Sequence, residues 1–216
     1  MPPTPVQSDG RELTARGRAT RDRILAAAAQ LVHERGVAAT SLDDVRAQTG
    51  TSKSQLYHYF ADKSALVRAV VELQVEQVLR AQFPDDDPLH SMSALRRWRD
   101  RVVAVNERAR CAGGCPLGRL ASELVDADPA ARSAVLAGFA QWQERLARGL
   151  GAMQERGELA HEADVEALAA GLLAAVQGGL LLGQATRSVR PLEAALDLAV
   201  QAIESSAGEC VRRPKQ

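Results

Sequence analysis

The sequence predicts an all-α protein, an N-terminal three-helix cluster of helix-turn-helix type followed by a larger helical domain. Three observations predict it. Apolar residues recur at helical spacing in segment after segment, first as Ile24, Leu25, Ala28, Leu31 and Val32. Alanine, leucine and arginine recur throughout, aromatics make up 3% of the chain, and β-branched runs are scarce. Two short helical patterns are joined by a few residues that include Gly50.

With 216 residues the chain can bury a good core and fits one large or two small domains. Its charges cancel, 27 basic against 27 acidic side chains, so any affinity for nucleic acid must come from a local patch. The segment Met1 to Thr14 is rich in proline and polar residues and lacks the apolar region of a signal peptide. Arg11, Arg16, Arg18, Arg21 and Arg23 make this segment and the start of the first helix basic. Such a run is usually a solvated tail; beside a helix-turn-helix it is also a candidate phosphate-contacting arm.

Thr20 is the expected cap of a first helix running to Arg35, with Gly36 ending it. Ser41-Leu42-Asp43-Asp44 starts a second helix with a capping-box pattern, and Gly50 stops it. A turn at Thr51-Ser52 launches the third, Lys53 to Phe60. At about 100° per residue, Leu56, Tyr59 and Phe60 share its inner face. Ser54 and His58 point the other way, with Gln55 and Tyr57 on the flanks and Lys53 beside them. That outer face has no core to fill, and its hydroxyl, amide and imidazole groups can bond phosphates and base edges. Asp62 caps a fourth helix reaching about Gln82, with Lys63 in its first turn. A cation is disfavoured there by the helix dipole, and makes sense beside a phosphate.

From Thr20 to about Val71 these motifs, and above all Leu56-Tyr57-His58-Tyr59-Phe60 with Lys63, resemble the TetR-like family of bacterial transcriptional repressors. The resemblance implies a DNA-binding three-helix domain and a helical C-terminal domain that binds a ligand and dimerises. Carried over by position, it places Ser52, Lys53, Ser54 and Gln55 at the groove end of the recognition helix. Tyr57, His58 and Lys63 fall on phosphates, and Thr40 and Ser41 at the start of the second helix meet the backbone. Base preference is expected mainly from Ser54 and Gln55, whose amide can pair bidentately with adenine.

Phe83 to Pro88 reads as a loop, and its aspartates lack the glycine and distal glutamate of a calcium site. Met92 to Ala109 is a helix with Leu95, Trp98, Val102 and Val105 in one stripe. The following Gly113-Gly114-Cys115-Pro116-Leu117-Gly118 resembles a lincomycin-resistance-repressor-like subgroup of the same family, which implies a small hydrophobic or aromatic effector. A helix runs from Leu117 to about Val125, and a long one from Pro129 to Gly157 carries Phe139, Trp142, Leu146 and Met153. Trp98, Phe139 and Trp142, with Val102, Leu117 and Gln177, are the candidate effector-binding residues; an aromatic core between helices is the competing explanation.

Asp164 starts a helix in which Ala167, Gly171, Ala175, Gly179 and Gly183 recur every four residues. Pro191 begins the last, with Leu192, Leu196, Ala199, Val200 and Ile203 in register. Two such apolar helices invite a partner copy across a two-fold axis, with Ala167, Gly171, Ala175, Gly179, Leu192, Leu196 and Val200 as the candidate dimer interface. Burial within one chain is the alternative. No charge falls between Glu166 and Arg187, a span near transmembrane length, but two glutamines and four glycines interrupt it, so no membrane is expected. The expected domains are a disordered basic arm over 1–18, the DNA-binding domain over 19–65, the effector and dimerisation domain over 66–207, and a disordered tail over 208–216.

Cys111, Cys115 and Cys210, an odd set, read as reduced thiols of a cytoplasmic protein. Cys111 and Cys115 lack redox-motif spacing and no histidine pair completes a zinc site, so neither metal nor cofactor is expected. A redox-sensing regulator through these two thiols stays open. An enzyme is the further rival, although His33, His58, His90 and His161 adjoin no nucleophile motif. The expected partners are a double-stranded operator, a small-molecule effector and a second copy of the chain.

Overall fold

The structure, a computed structural model, describes residues 13–84, 89–126 and 128–208. Arg11, the Asp85–Asp87 run and the tail with Cys210 lie outside the described residues. The described chain is helical and contains no strand. Its helices are α1 (Ala15–Arg35), α2 (Leu42–Thr49), α3 (Lys53–Tyr59), α4 (Lys63–Gln82), α5 (Met92–Arg108), α6 (Pro116–Leu124), α7 (Pro129–Glu155), α8 (Val165–Thr186) and α9 (Arg190–Gly208).

α1 starts earlier than its sequence suggests. Thr14, not Thr20, is the cap, its hydroxyl oxygen accepting the Gly17 N–H at 3.1 Å. Thr20 instead donates to the Arg16 carbonyl inside the helix. Threonine caps equally well at either place, and nothing between them breaks a helix. α1 ends at Gly36, whose φ of 85° only glycine adopts cheaply.

Two compact units divide the chain. The first takes in Met1–Gln77 and Arg119–Gly138. Ile24, Val45, Leu56, Phe60, Leu66 and Val71 form the centre of its core, each no more than 3% exposed. The Arg119–Leu124 part of α6 closes the end of α1: Arg119 Nη1 donates to the His33 carbonyl at 2.7 Å, and the Val37 N–H donates to Glu123 Oε2 at 2.6 Å. That carboxylate stands 2.8 Å from where a Cβ on Gly36 would be.

The second unit takes in Val78–Gly118 and Phe139–Gln216. Its largest packing is α8 along α9, where Leu192 Cα lies 2.7 Å from the Cβ position of Gly179. Arg96 pairs with Glu204, and Arg99 with Asp197, each at 2.7 Å, joining α5 to α9. The glycines of the turn before α6 and of its first turn are explained by α8: Gln184 and Gln177 oxygens occupy the space that side chains at Gly114 and Gly118 would need. Val105, expected in the α5 stripe, is half exposed.

α8 is long and apolar enough to cross a bilayer, by length and composition alone. Its surface divides cleanly. Ala169, Leu172, Leu173, Val176, Gly179, Leu180 and Gly183 are buried, whereas Ala167, Gly171, Gly178, Leu181 and Leu182 are exposed. This corrects the expected dimer stripe. A four-residue repeat turns about 40° past a full circle at every step, so it drifts from the outer face at Ala167 to the inner face at Gly183. Gly179, Leu192, Leu196 and Val200 are covered within one chain and have no surface to give a partner. Ala167 and Gly171 stay outside and Ala175 sits at the edge.

Candidate nucleic-acid interface

The helix-turn-helix is built by its caps. Ser41 and Asp44 form the capping box of α2, with the Asp44 N–H donating to Ser41 Oγ at 3.1 Å and the Ser41 N–H to the Asp44 carboxylate at 2.8 Å. The Ser41 hydroxyl bond holds the Asp44 carboxyl below its usual range, and Arg35 and Lys63 add to this by their charge. Gly50, left-handed at φ 66°, ends α2.

Thr49 and Thr51 are buried on either side of this glycine, their hydroxyls 2.8 Å apart, and Thr49 Oγ1 also donates to the Val45 carbonyl. Arg23 of α1 donates to the Thr49 carbonyl, so the turn is tied from both sides. Sequence reading puts Thr49 on the inner face of α2 but misses its bond to Thr51, whose signal was two threonines flanking a C-cap glycine. Two further arginines of the basic segment are also engaged internally. Arg18 donates to the Leu13 carbonyl, and Arg21 lies 5.4 Å over the Phe60 ring.

α3 has Ser52 as its cap and a second capping box. The Gln55 N–H donates to Ser52 Oγ at 3.2 Å, and the Ser52 N–H donates to Gln55 Oε1 at 3.1 Å. Leu56 and Phe60 are buried at 1% and 3% exposure, Tyr59 is half-buried, and Ser52, Lys53, Ser54, Gln55, Tyr57 and His58 are exposed. The outer face is ordered by its own contacts. Lys53 Nζ stands 5.9 Å from the Tyr57 ring, and His58 meets Tyr59 edge-on at 5.0 Å. Lys63, half-buried, opens α4 after Asp62, whose carboxylate accepts the Ala65 N–H. Between residues 15 and 63 there are eight basic and five acidic side chains, so an electrically balanced chain carries a local basic excess over its first three helices and the start of the fourth.

Two expectations need correction. Thr40 is 5% exposed and its hydroxyl donates to the Gly36 carbonyl, so it closes a turn and is not available to a phosphate. Gln55 has its amide oxygen committed to the Ser52 N–H. Bidentate pairing with adenine needs both amide groups, so in this conformer only the nitrogen is left for a groove.

The candidate effector residues all lie in the second unit. Trp98, Val102, Leu117 and Trp142 are buried at 0–3% exposure, and Phe139 is half-buried. Gln177 is used structurally, its Nε2 donating to Cys115 Sγ at 3.5 Å. Cys111 and Cys115 are buried free thiols. Cys111 lies against Gly183, and Cys115 against Gln177, six residues along α8 or about 9 Å of helix rise. Joining them would require the turn to rebuild, and the redox alternative gains no support. Among the described residues no three His, Cys, Asp or Glu side chains gather as metal ligands.

Comparison with known proteins accords with this geometry. Residues 24–70 match the family described as bacterial regulatory proteins, tetR family, and residues 91–199 match the tetracyclin repressor-like C-terminal domain. An HTH-type transcriptional regulator encoded in the lacX 3' region of Lactococcus lactis is 30% identical over 84% of this chain and 91% of its own length. The crystal structure of a TetR transcriptional regulator from Chloroflexus aurantiacus superposes with a TM-score of 0.75 at 30% identity, covering 88% of this chain and 96% of that one. The SmeT–triclosan complex does so with a TM-score of 0.62 at 25% identity, covering 85% and 91%.

Proposed function

The chain belongs to the tetR family of bacterial regulatory proteins, and from that premise we propose that it is a ligand-responsive repressor which grips a near-palindromic operator as a homodimer. It is a helix-turn-helix transcriptional regulator and not an enzyme. One observation carries the reading: α3 turns Lys53, Ser54, Gln55, Tyr57 and His58 to solvent while burying Leu56 and Phe60 beneath them. Ser52, Lys53, Ser54 and the Gln55 nitrogen lie at the groove end of α3. Tyr57, His58 and Lys63 hold phosphates, with Ser41 beside the backbone.

Two recognition helices must match half-sites about 34–36 Å apart, or a multiple of that spacing. The second copy binds the exposed arc of α8 and α9, with Gly171, Gly178, Leu181, Leu182 and Leu198 at its centre. Leu181 and Leu198 are each about two-thirds exposed, and Leu182 is more than half exposed. Residues 19–65 read DNA, and residues 66–207 bind effector and dimerise. SmeT was solved with triclosan; here a small hydrophobic effector inside the second unit favours a conformer whose recognition helices no longer match the operator spacing. Such a protein works in the cytoplasm, where its DNA is.

Footprinting of the DNA flanking its own gene tests the reading. The expected result is one protected near-palindrome with half-sites a whole number of turns apart. A monomeric protein that protects no flanking duplex at low salt would end the proposal.

A further inference from the structure

Ser41 has two hydrogen-bond donors, its N–H and its hydroxyl, and both end on one atom. Each donates to Asp44 Oδ2, the N–H at 2.8 Å. The hydroxyl oxygen in turn accepts the Asp44 N–H at 3.1 Å. The box at the start of α3 is built differently. There Gln55 Oε1, a neutral acceptor, takes the Ser52 N–H, and no charge is brought to the helix start. Asp44 does bring a charge, and it does so beside Lys63. Thr40, Ser41, Leu42 and Lys63 border one cleft between α1, α2 and α4. The Ser41 hydroxyl bond, then the Ser41 N–H, then the charges of Arg35 and Lys63 hold the Asp44 carboxyl below its usual range, so it is an anion at neutral pH.

Ser41 and Lys63 are the groups assigned above to the DNA backbone, and an anion already stands with them. We propose that the Asp44 carboxylate competes with an operator phosphate for Ser41 and Lys63, and so holds the affinity for DNA below what the basic side chains of the first unit allow. The inference rests on the DNA-contact reading of Ser41 and Lys63 and adds an opposing residue to it. Carboxylate and phosphate are both oxyanions and take the same donors. For a phosphate to bind, the Ser41 hydroxyl must turn away from Asp44, and two like charges then share the neighbourhood of Lys63. Phosphate carries no sequence information, so the opposition falls on every duplex alike. Asp44 thus sets how tightly the protein holds DNA and leaves untouched which DNA it prefers.

Asp44→Gln copies the neutral box that α3 already uses, and Asp44→Asn is a second neutral variant able to accept the Ser41 N–H. Circular-dichroism melts of the full-length proteins check that each is folded. Fluorescence anisotropy then follows binding to two labelled duplexes, one of arbitrary sequence and one from the footprinted segment, over a series of potassium chloride concentrations. Both variants should bind both duplexes about threefold more tightly per subunit, the strength of an exposed ion pair. The fall of affinity with salt should steepen by up to about one per subunit, since Lys63 then answers to phosphate alone. The ratio of the two affinities should stay as it is. Asp43→Asn removes the same charge one residue away, where the partner is Arg46 at 3.2 Å. In a Lys63→Ala background the gain from Asp44→Gln should fall by at least half, and any gain from Asp43→Asn should persist. A folded Asp44→Gln protein with equal or weaker affinity would overturn the competition and leave the operator reading intact. A gain that survives Lys63→Ala in full would overturn it too, as the mark of net charge alone. If wild type and variants all fail to hold either duplex at low salt, the operator reading falls and the competition with it.

Discussion

Gln55 carries two demands that compete for one amide. Its oxygen caps α3 through the Ser52 N–H, and its nitrogen is the group left for a base edge. Gln55→Ala should blur operator preference at one base position and also destabilise the fold by about 0.5–1 kcal/mol through the lost cap. Gln55→Glu keeps the capping oxygen and loses the donor, so it should retain the melting temperature but not the preference. Selection of bound sequences from a randomised operator pool measures both variants, and unchanged preference in both would remove Gln55 from the groove. Tyr57→Ala and Lys63→Ala are expected to weaken binding to every duplex alike, with a salt slope reduced by about one for Lys63. Asp128 gives a pH prediction. The Ala131 N–H, then the Ser64 hydroxyl at 3.0 Å, hold its carboxyl below the usual value. A carboxylate depressed in the fold stabilises fully above its unfolded pKa of about 3.9 and loses that contribution as pH falls through the folded value. Urea unfolding should therefore show wild-type stability declining below about pH 4, and a flatter acid limb with lower neutral stability in Asp128→Asn.

At the scale of the element, helices were legible because their signal is local. A buried stripe, a capping residue and a glycine at the end stand within one segment, and Ser41, Asp62, Asp164, Gly36 and Gly50 act where the sequence placed them. The α1 start was misplaced because two threonines qualified and only the fold chose between them. The drifting repeat of α8 was misread because small residues at every fourth position look like one face when they are not. Gly179 makes the test. A methyl there meets Leu192 backbone at 2.7 Å, so Gly179→Ala should cost about 1–3 kcal/mol by overpacking. Gly171 has nothing within 4 Å, and Gly171→Ala should leave the α8–α9 packing undisturbed. Thermal melts of the two variants, compared at equal concentration, check the contrast; equal losses would deny the drift.

For the molecule as a whole, the exposed leucines of α8 and α9 decide the assembly. Leu181→Glu combined with Leu198→Glu should yield a folded monomer by sedimentation, with operator affinity lowered at least tenfold because two half-site contacts no longer act together. A dimer that survives both changes would move the interface elsewhere. The sequence by itself determined the helical class, the order of the helices, the recognition face of α3 and the family, since each is written in spacing along one segment. Thr40 and Gln55 are turned by partners within four residues, Gly36 and Ser52, a local Ser-x-x-Gln cap in the second case that sequence reading passed over. Only the tertiary structure decided that Leu192 and Leu196 serve their own chain, because that depends on a distant residue arriving, Gly179 at Leu192, and no local pattern encodes that meeting.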